Sequence, residues 1–262
     1  LGHVRQNGMI SSETSSGSPL VIEMGAGRGM TGLVVAGAMG SSLKQAGSSA
    51  KVNLCIVERA GTRGKAETRI RNTEENKHSA DDPIRLDNVD VMRIKCDLAH
   101  VDMDKAIPSQ MKSESTNKVY IAKHLCGAGT DLAIKSMKSL STPIDGCFMA
   151  TCCHGLCTWL EYVGRDSFIQ LFSSVGGMTS FGEKEFNLLK RWTAASVLEE
   201  RKEYEPDKDN ELQDEHNNAT EEEKGRYPNI FKVVDSMNIS GAMLARAIQR
   251  LIDHGRCEYM RK

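Results

Sequence analysis

Residues 19–29 read PLVIEMGAGRG, a short apolar run followed by three glycines at every second position. An apolar run of this length, bounded by turn residues, is typical of a buried strand. Glycine has no Cβ, so the backbone of such a loop can approach a ligand closely. The stretch therefore predicts a strand over residues 19–24 that ends in a ligand-binding loop.

Further apolar runs of strand length follow along the chain, separated by stretches with helical character. They cover residues 52–57, 89–96, 118–122 and 146–150. Alternating strands and helices predict an α/β fold, with a mostly parallel sheet and helices on both faces. Ligands of such sheets bind outside the carboxyl ends of the strands. We therefore expect the functional residues at 23–29, 58, 97, 123–131 and 151–157.

The last part of the chain predicts one more helix and one more strand. Apolar residues recur at helical spacing over residues 239–254, and Gly255 fits the position just after a helix end. Residues Cys257–Met260 then predict the beginning of a sixth strand. Residues 1–18 are predicted to be an N-terminal segment or linker, and residues 19–262 one domain.

Composition limits the class of protein. Hydrophobic residues make up 39% of the 262 residues and charged residues 26%, and no apolar run reaches the length of a membrane span. No signal-peptide pattern opens the chain, which predicts an intracellular protein of the nucleus or cytoplasm with no membrane partner. The eight cysteines are then expected to be thiols or metal ligands rather than disulfides.

The charge is unevenly distributed. Residues 199–223 hold twelve acids and three bases, a net of −9, so the rest of the chain carries +8 against the overall −1. A tract this acidic cannot bury enough apolar surface to fold alone, which predicts a disordered insertion at about 199–225. The basic remainder is compatible with a polyanionic partner.

The glycine loop and the acids near it predict the kind of cofactor. A dinucleotide fingerprint, G-x-G-x-x-G, would place a glycine where Met30 stands. Glu23 would repel a phosphate and suit an ammonium group. Glu58, at the end of the second strand, can accept hydrogen bonds from ribose hydroxyls, although a dinucleotide oxidoreductase would share that feature. Each acid taken alone is also a normal helix N-cap.

The pattern resembles the first motif of Rossmann-like S-adenosylmethionine-dependent methyltransferases. In that family an acid near the end of the third strand lies close to the adenine amino group, which here implies Asp97. The resemblance implies a cofactor site built from Glu23, Gly25, Ala26, Gly27, Gly29, Glu58, Arg59, Asp97 and Leu98.

Two longer segments carry a more specific resemblance. Residues 123–133 read KHLCGAGTDLA and residues 150–165 read ATCCHGLCTWLEYVGR. Together with EMGAGRGM at 23–30 and ERAGTR at 58–63, they closely resemble the catalytic domain of the tRNA methyltransferase thirteen family. The similarity covers residues 19–167. It implies methyl transfer from S-adenosylmethionine to a ribose 2′-hydroxyl at position 4 of the tRNA acceptor stem.

The chain also departs from that family. Members usually carry a second histidine where Gly155 stands, and they have N-terminal zinc modules that are not recognisable in this sequence. The family fold is expected to continue through a final hairpin beyond Met260. Gly155 and this missing terminus favour a non-catalytic RNA-binding relative as one alternative. Against it stand the intact residues of the predicted cofactor site, Glu23, Gly25, Gly27, Glu58 and Asp97. A methyltransferase acting on protein or on another RNA is a second alternative, and a dinucleotide oxidoreductase is a distant third.

The predicted reaction needs alignment of the 2′-hydroxyl with the donor and removal of its proton. Lys123, His124 and His154 are the candidate bases at the predicted strand ends. Asp131 is expected either to orient one of them or to cap the following helix. For a single histidine such as His154, the common alternative is a structural role.

Contacts with RNA are expected from Arg63, Cys152, Cys153 and Arg165. A solvated helix face is the commoner explanation for basic residues such as Arg63. Cysteine and histidine are ligand types that zinc accepts, which allows a metal site. Plain packed thiols are the preferred interpretation, and cysteine nucleophilic catalysis does not suit a hydroxyl substrate. The possible metal ligands are Cys152, Cys153, His154 and Cys157.

Overall fold

The structure, a computed structural model, describes residues 17–61, 64–75, 86–175, 181–194 and 236–262. It divides into two compact units. The first runs to Leu125 and resumes over Leu132–Cys152, and the second comprises Cys126–Asp131 and the chain from Cys153 onward. Most of the predicted N-terminal segment and the whole acidic insertion lie outside the described residues. The domain boundaries drawn from the sequence therefore stay predictions.

The first unit contains a sheet of five parallel strands. The strands are β1 (Ser18–Met24), β2 (Val52–Val57), β3 (Val89–Ile94), β4 (Ser115–Lys123) and β5 (Gly146–Ala150). Their order is β3-β2-β1-β4-β5, and every neighbouring pair is parallel. The predicted parallel sheet is thereby confirmed. The order reverses between β1 and β4, and open α/β sheets bind ligands at such a point.

Helices connect and flank these strands. They are α1 (Met30–Gln45), α2 (Lys65–Glu75), α3 (Met103–Ala106), α4 (Ser109–Glu114) and α5 (Gly129–Met137), the last of which begins in the second unit. Helix α1 packs closely on the sheet because it presents small residues. A Cβ on Gly32 would lie 2.7 Å from Leu54 Cδ1. Leu33 and Met39 of the same helix join the buried apolar cluster of the strands.

The second unit is built around aromatic side chains. It contains a 3₁₀ turn (His154–Leu156) and helices α6 (Arg165–Val175), α7 (Glu183–Trp192) and α8 (Gly241–Arg261). The ring of Tyr162 stacks on Phe186 with 4.8 Å between centroids, and Trp159 packs on Phe186 at 5.3 Å. Within the described ranges, no helix combines the length and the apolarity that crossing a membrane would require.

Helix α8 overturns two predictions. It continues through Arg261, so Gly255 does not end a helix and Cys257–Met260 do not begin a strand. The reason is tertiary packing: a Cβ on Gly255 would lie 2.1 Å from Tyr162 Oη. The Tyr162 hydroxyl donates to the Ile252 carbonyl at 2.8 Å, one turn earlier. Gly255 therefore makes room for a buried tyrosine.

Candidate functional site

The loop between β1 and α1 adopts a backbone conformation that suits glycine. Gly25, Gly27 and Gly29 all have left-handed φ angles, of 60°, 53° and 74°. A Cβ on Gly25 would lie 2.2 Å from Leu125 Cδ2, whereas the Cβ direction of Gly27 is open for 4 Å. The loop is thus tightly packed at its start and open at its centre, as a ligand-binding loop requires.

Glu23 is buried beneath this loop. Only 3% of the residue is exposed, and its Oε2 accepts a hydrogen bond at 2.8 Å from the backbone N–H of Gly32, in the first turn of α1. Burial raises the pKa of Glu23, while the Gly32 N–H, Thr31 and Arg93 act in the opposite direction. From the preceding strand, Glu23 therefore accepts a hydrogen bond from one of the N–H groups at the N-terminus of α1 that have no partner within the helix. Its predicted attraction for an ammonium group stays a prediction.

Glu58 ties the glycine loop to the end of β2. Its Oε2 accepts from Gly27 N and its Oε1 accepts from Ala60 N, both at 2.8 Å. Ala26 N donates to the Val57 carbonyl beside it. Each carboxylate oxygen has a second lone pair, so these bonds leave acceptor capacity for a ligand hydroxyl.

An arginine that the sequence interpretation missed holds the same loop from the other side. Arg93 Nη1, on β3, donates to the Gly27 carbonyl at 2.9 Å. The guanidinium also binds both carboxylate oxygens of Glu67 on α2, at 2.5 and 3.1 Å. The Arg93 guanidinium holds the pKa of Glu67 below its usual value. Glu58 and Arg93 together bind the backbone N–H and the backbone C=O of Gly27.

Asp97 lies three residues beyond the end of β3. Its Oδ1 accepts from Ala99 N at 3.0 Å, and its Oδ2 accepts from the exposed Arg59 at 3.3 Å. The Ala99 N–H, and then Arg59, lower the pKa of Asp97, so the carboxylate is ionised at neutral pH. Leu98 beside it is half-buried, and Arg63 lies outside the described residues. The structure thus pairs Arg59 with Asp97, while their predicted contact with a cofactor stays a prediction.

The end of β4 carries two exposed basic side chains. Lys123 closes the strand and His124 follows it, and both are exposed. His124 has φ of 62°, a left-handed conformation that costs free energy in a residue other than glycine. Its Nδ1 is 3.8 Å from Cys152 Sγ. Strain of this kind is concentrated at functional sites, which keeps His124 and Lys123 as the leading candidates for catalysis.

Asp131 has a different partner from the one expected. In the second unit its side chain is completely buried and binds Arg256 of α8, with Oδ1–Nε at 3.1 Å and Oδ2–Nη2 at 2.7 Å. Val163 N also donates to Oδ1. The carboxylate is therefore committed to a buried ion pair, and its orienting role toward Lys123 or His124 stays a prediction.

His154 and Cys157 are also held by structural partners. Only 5% of His154 is exposed, and its Nε2 lies 2.9 Å from Asp253 Oδ2. Cys157 Sγ accepts from Arg256 Nη2 at 3.0 Å, and burial raises the pKa of its thiol. These contacts favour a structural role for His154 over a catalytic one. They also favour the interpretation of Cys157 as a packed thiol over that of a zinc ligand.

The remaining predicted residues fall at loop and helix starts. Cys152 and Cys153 follow β5 by two and three residues, and Cys153 Sγ lies 3.1 Å from Cys126 Sγ. Arg165 is half-buried at the first position of α6. Nothing in these positions tests contact with RNA, so the RNA roles of Cys152, Cys153 and Arg165 stay predictions.

Comparison with known proteins agrees with the resemblance found in the sequence. The mouse protein "tRNA:m(4)X modification enzyme TRM13 homolog" is 24% identical over 92% of this chain and 54% of its own length. The human protein of the same name is 25% identical over the same shares. The Saccharomyces cerevisiae enzyme is 25% identical over 79% of this chain and 44% of its own length.

This chain therefore spans about half the length of the curated relatives it matches. No solved structure matches it. The family model described as "Methyltransferase TRM13" matches residues 1–262. Since that match extends over the whole sequence, the chain belongs to the TRM13 methyltransferase family.

Proposed function

We propose that this chain transfers a methyl group from S-adenosylmethionine to a ribose 2′-hydroxyl of tRNA, at position 4 of the acceptor stem. The proposal combines family membership with a Rossmann-like interpretation of the sheet order β3-β2-β1-β4-β5. The mammalian and yeast relatives carry names of tRNA modification enzymes, which supports tRNA as the substrate class.

One observation carries the choice of cofactor. Helix N-termini bind the phosphates of dinucleotides through their unpaired N–H groups. Here the buried carboxylate of Glu23 already accepts from Gly32 N in that first turn, and its charge would repel a phosphate. S-adenosylmethionine has no phosphate and carries a sulfonium and a zwitterionic amino acid, whose ammonium group an acid would attract. A buried acid beneath the loop suits this cofactor and disfavours a nicotinamide dinucleotide.

The residues present fit the rest of such a cofactor. Glu58 would accept from the ribose hydroxyls with the lone pairs left by Gly27 and Ala60, and Asp97 would accept from the adenine amino group. The open side of Gly27 would admit the ligand against the backbone. When bound, the cofactor supplies a methyl group on a good leaving group, so the protein contributes mainly alignment.

Lys123 and His124 would handle the proton of the attacking hydroxyl. Both are exposed at the end of β4. A neutral His124 imidazole would accept the proton, and the Lys123 ammonium would bind a neighbouring phosphate of the RNA backbone. The left-handed backbone of His124 would fix the direction of its side chain.

The decisive experiment incubates the chain with unmodified tRNA and methyl-labelled S-adenosylmethionine, then digests the RNA and locates the label. Label on the 2′-oxygen of nucleotide 4 is the expected result. Label on a base, or on protein, would contradict the proposed substrate atom. Cofactor binding by calorimetry without any label would favour the non-catalytic relative, and absence of binding would contradict the methyltransferase site.

Variants then test the two candidate groups. We expect His124→Ala to lower kcat at least tenfold, because it removes the proposed proton acceptor. Lys123→Ala should mainly raise KM for tRNA. Lys51→Ala is the matched control, because Lys51 is an exposed lysine just before β2, at the opposite end of the parallel strands, and it pairs with Asp90.

A further inference from the structure

Two thiols of the second unit lie close enough to react with each other. Cys126 Sγ and Cys153 Sγ are 3.1 Å apart, although 27 positions separate them in the sequence. Cys126 is exposed and Cys153 is half-buried, so a small solute can reach the first sulfur. The sulfurs of a disulfide are about 2.05 Å apart, so bond formation needs a movement of only about 1 Å.

The backbone, and not only the side chains, keeps this pair together. Each cysteine begins a tight turn, because Gly129 N donates to the Cys126 carbonyl and Leu156 N donates to the Cys153 carbonyl. The two turns touch at Gly127, where an added Cβ would lie 3.0 Å from the Leu156 carbonyl oxygen. The left-handed φ of Gly127, 60°, permits this approach.

A second contact fixes the same two segments. The buried Asp131 carboxylate, four positions after Gly127, accepts from Val163 N and from Arg256. Both turns are therefore anchored within one unit, and the thiol pair has a high effective concentration. Intramolecular disulfide formation is favoured by such preorganisation.

From this geometry we propose that Cys126 and Cys153 are a redox-sensitive dithiol that a peroxide converts to a disulfide. The Cys126 thiolate attacks one peroxide oxygen, the O–O bond breaks, and hydroxide leaves and takes up a proton as water. The Cys153 thiolate then displaces hydroxide from the Cys126 sulfenic acid, which forms the S–S bond and a second water. Two thiols lose two electrons and two protons in total, and one peroxide becomes two waters.

The disulfide is expected to inhibit methyl transfer, and this part rests on the proposed function. Cys126 follows the candidate groups His124 and Lys123 by two and three residues. A cross-link at Cys126 would restrict the backbone that connects directly to these two residues. In a reducing compartment such a bond would be transient and regulatory rather than structural.

The test treats the full chain with hydrogen peroxide, blocks remaining thiols, digests it and maps cross-linked peptides by mass spectrometry. We expect a Cys126–Cys153 link, the loss of two thiols per chain and full reversal by dithiothreitol. Because Cys152 neighbours Cys153, the link must persist in Cys152→Ser and vanish in Cys153→Ser and Cys126→Ser. Cys257→Ser, which removes another exposed thiol, is the matched control and should still form the link.

Other outcomes would overturn the proposal. These are a link through Cys152, no link in the unsubstituted chain, or stoichiometric zinc that protects the thiols and is lost in Cys126→Ser. Methyl transfer is measured on the same samples, with at least a tenfold loss expected after oxidation. A mapped disulfide in a protein that never methylates tRNA would contradict the proposed function alone. Active protein without a disulfide would contradict the dithiol alone.

Discussion

At the scale of single residues, the backbone of Gly27 is held by two charged side chains. Glu58 accepts its N–H while Arg93 donates to its carbonyl, and Glu67 in turn orients Arg93. Neither Arg93 nor Glu67 is expected to contact a cofactor, so both are positioning residues. The shape of the loop thus depends on side chains from three different elements.

Arg93→Met should weaken cofactor binding more than it weakens the fold. A hydrogen bond to a charged group contributes about 1.5–3 kcal/mol, so we expect the Kd for S-adenosylmethionine to rise roughly tenfold or more. Calorimetry on the folded variant measures this change. Arg71→Met, which removes an exposed charge from α2, is the control and should leave Kd unchanged. Equal Kd values for both variants would contradict the positioning role.

The buried Glu23 should make stability depend on pH. Its folded pKa lies above the ordinary value of 4.5 because of burial. The folded state therefore binds this proton more tightly, and stability falls as pH rises from 4.5 through the raised pKa. Glu23→Gln retains an acceptor for Gly32 N without the charge. We expect its melting temperature to match the parent near pH 4 and to equal or exceed it near pH 8.

Glu23→Ala is the contrasting variant, since it removes the acceptor itself. A lost helix cap costs about 1 kcal/mol, and that loss should persist at every pH. If the melting temperature of Glu23→Gln instead fell below that of the parent at alkaline pH, the ionised carboxylate would stabilise the fold. The cost of burying its charge would then not be the dominant effect.

Sequence patterns correctly located residues that directly follow a strand. They did not predict which residues far apart in the sequence contact each other. Gly25, Gly27 and Glu58 directly follow strands that were recognised as apolar runs, and in the structure Glu58 accepts a hydrogen bond from the loop at Gly27 N. Arg93 was missed because an arginine within a strand reads as an ordinary solvent-facing residue. Asp131 and Arg256 are 125 positions apart, and no local pattern links them.

At the scale of elements, helix α8 depends on a glycine within its length. Alanine normally stabilises a helix interior by about 1 kcal/mol relative to glycine. At Gly255, however, a Cβ would lie 2.1 Å from Tyr162 Oη. Overpacking costs about 1–3 kcal/mol, so we expect Gly255→Ala to lower the free energy of unfolding despite its better helix propensity.

Tyr162→Phe provides the matched background for this prediction. It removes the hydroxyl that clashes, at the cost of the hydrogen bond to Ile252. In a double-mutant cycle by urea unfolding, Gly255→Ala should destabilise less in the Tyr162→Phe background than in the parent. If the two substitutions changed the free energy of unfolding additively, the added methyl group would not be in conflict with the Tyr162 hydroxyl.

Local signals identified this helix but misjudged its end. The apolar period over 239–254 was correct, and the structure begins the helix at Gly241 with Ser240 as its N-cap. A glycine near the end of a periodic run normally marks a C-terminus. Here the ring of Tyr162 packs against that position, and tertiary contacts of this kind override propensity.

The buried ion pair between α5 and α8 has an energetic signature of its own. Asp131 is fully buried and 4% of the Arg256 side chain is exposed. Removing one partner of such a pair costs about 3–5 kcal/mol, because the other charge is left buried. We expect Arg256→Met and Asp131→Asn each to cause this loss, and the double variant to lose less than the sum. A catalytic Asp131 would instead lower kcat without lowering stability.

At the scale of the whole molecule, charge is separated along the sequence. Residues 199–223 carry −9 and the rest of the chain +8. If tRNA binds the basic part, neutralising Glu221, Glu222 and Glu223 with glutamine should tighten binding at low salt. Fluorescence titration at several salt concentrations measures the effect, and the difference should shrink as salt screens the charges.

A control replaces three uncharged residues of the same tract, Asn210, Asn217 and Asn218, with glutamine, and should bind as the parent does. Tighter binding that persists at high salt would contradict an electrostatic origin.

A sheet whose strands are each marked by apolar runs was predictable at this scale. The division into two units was not, because it depends on contacts between segments far apart in the chain.

The bond between Asp131 and Arg256 also has a consequence for folding during translation. The arginine is made 125 residues after the aspartate, which at about 5–20 residues per second corresponds to roughly 6–25 s of synthesis. Until it leaves the ribosome, burial of Asp131 would leave a charge without its partner, so this carboxylate stays hydrated and its segment open. We therefore expect the second unit to fold only after α8 has been translated, whereas the strands up to β4 can pair on the nascent chain.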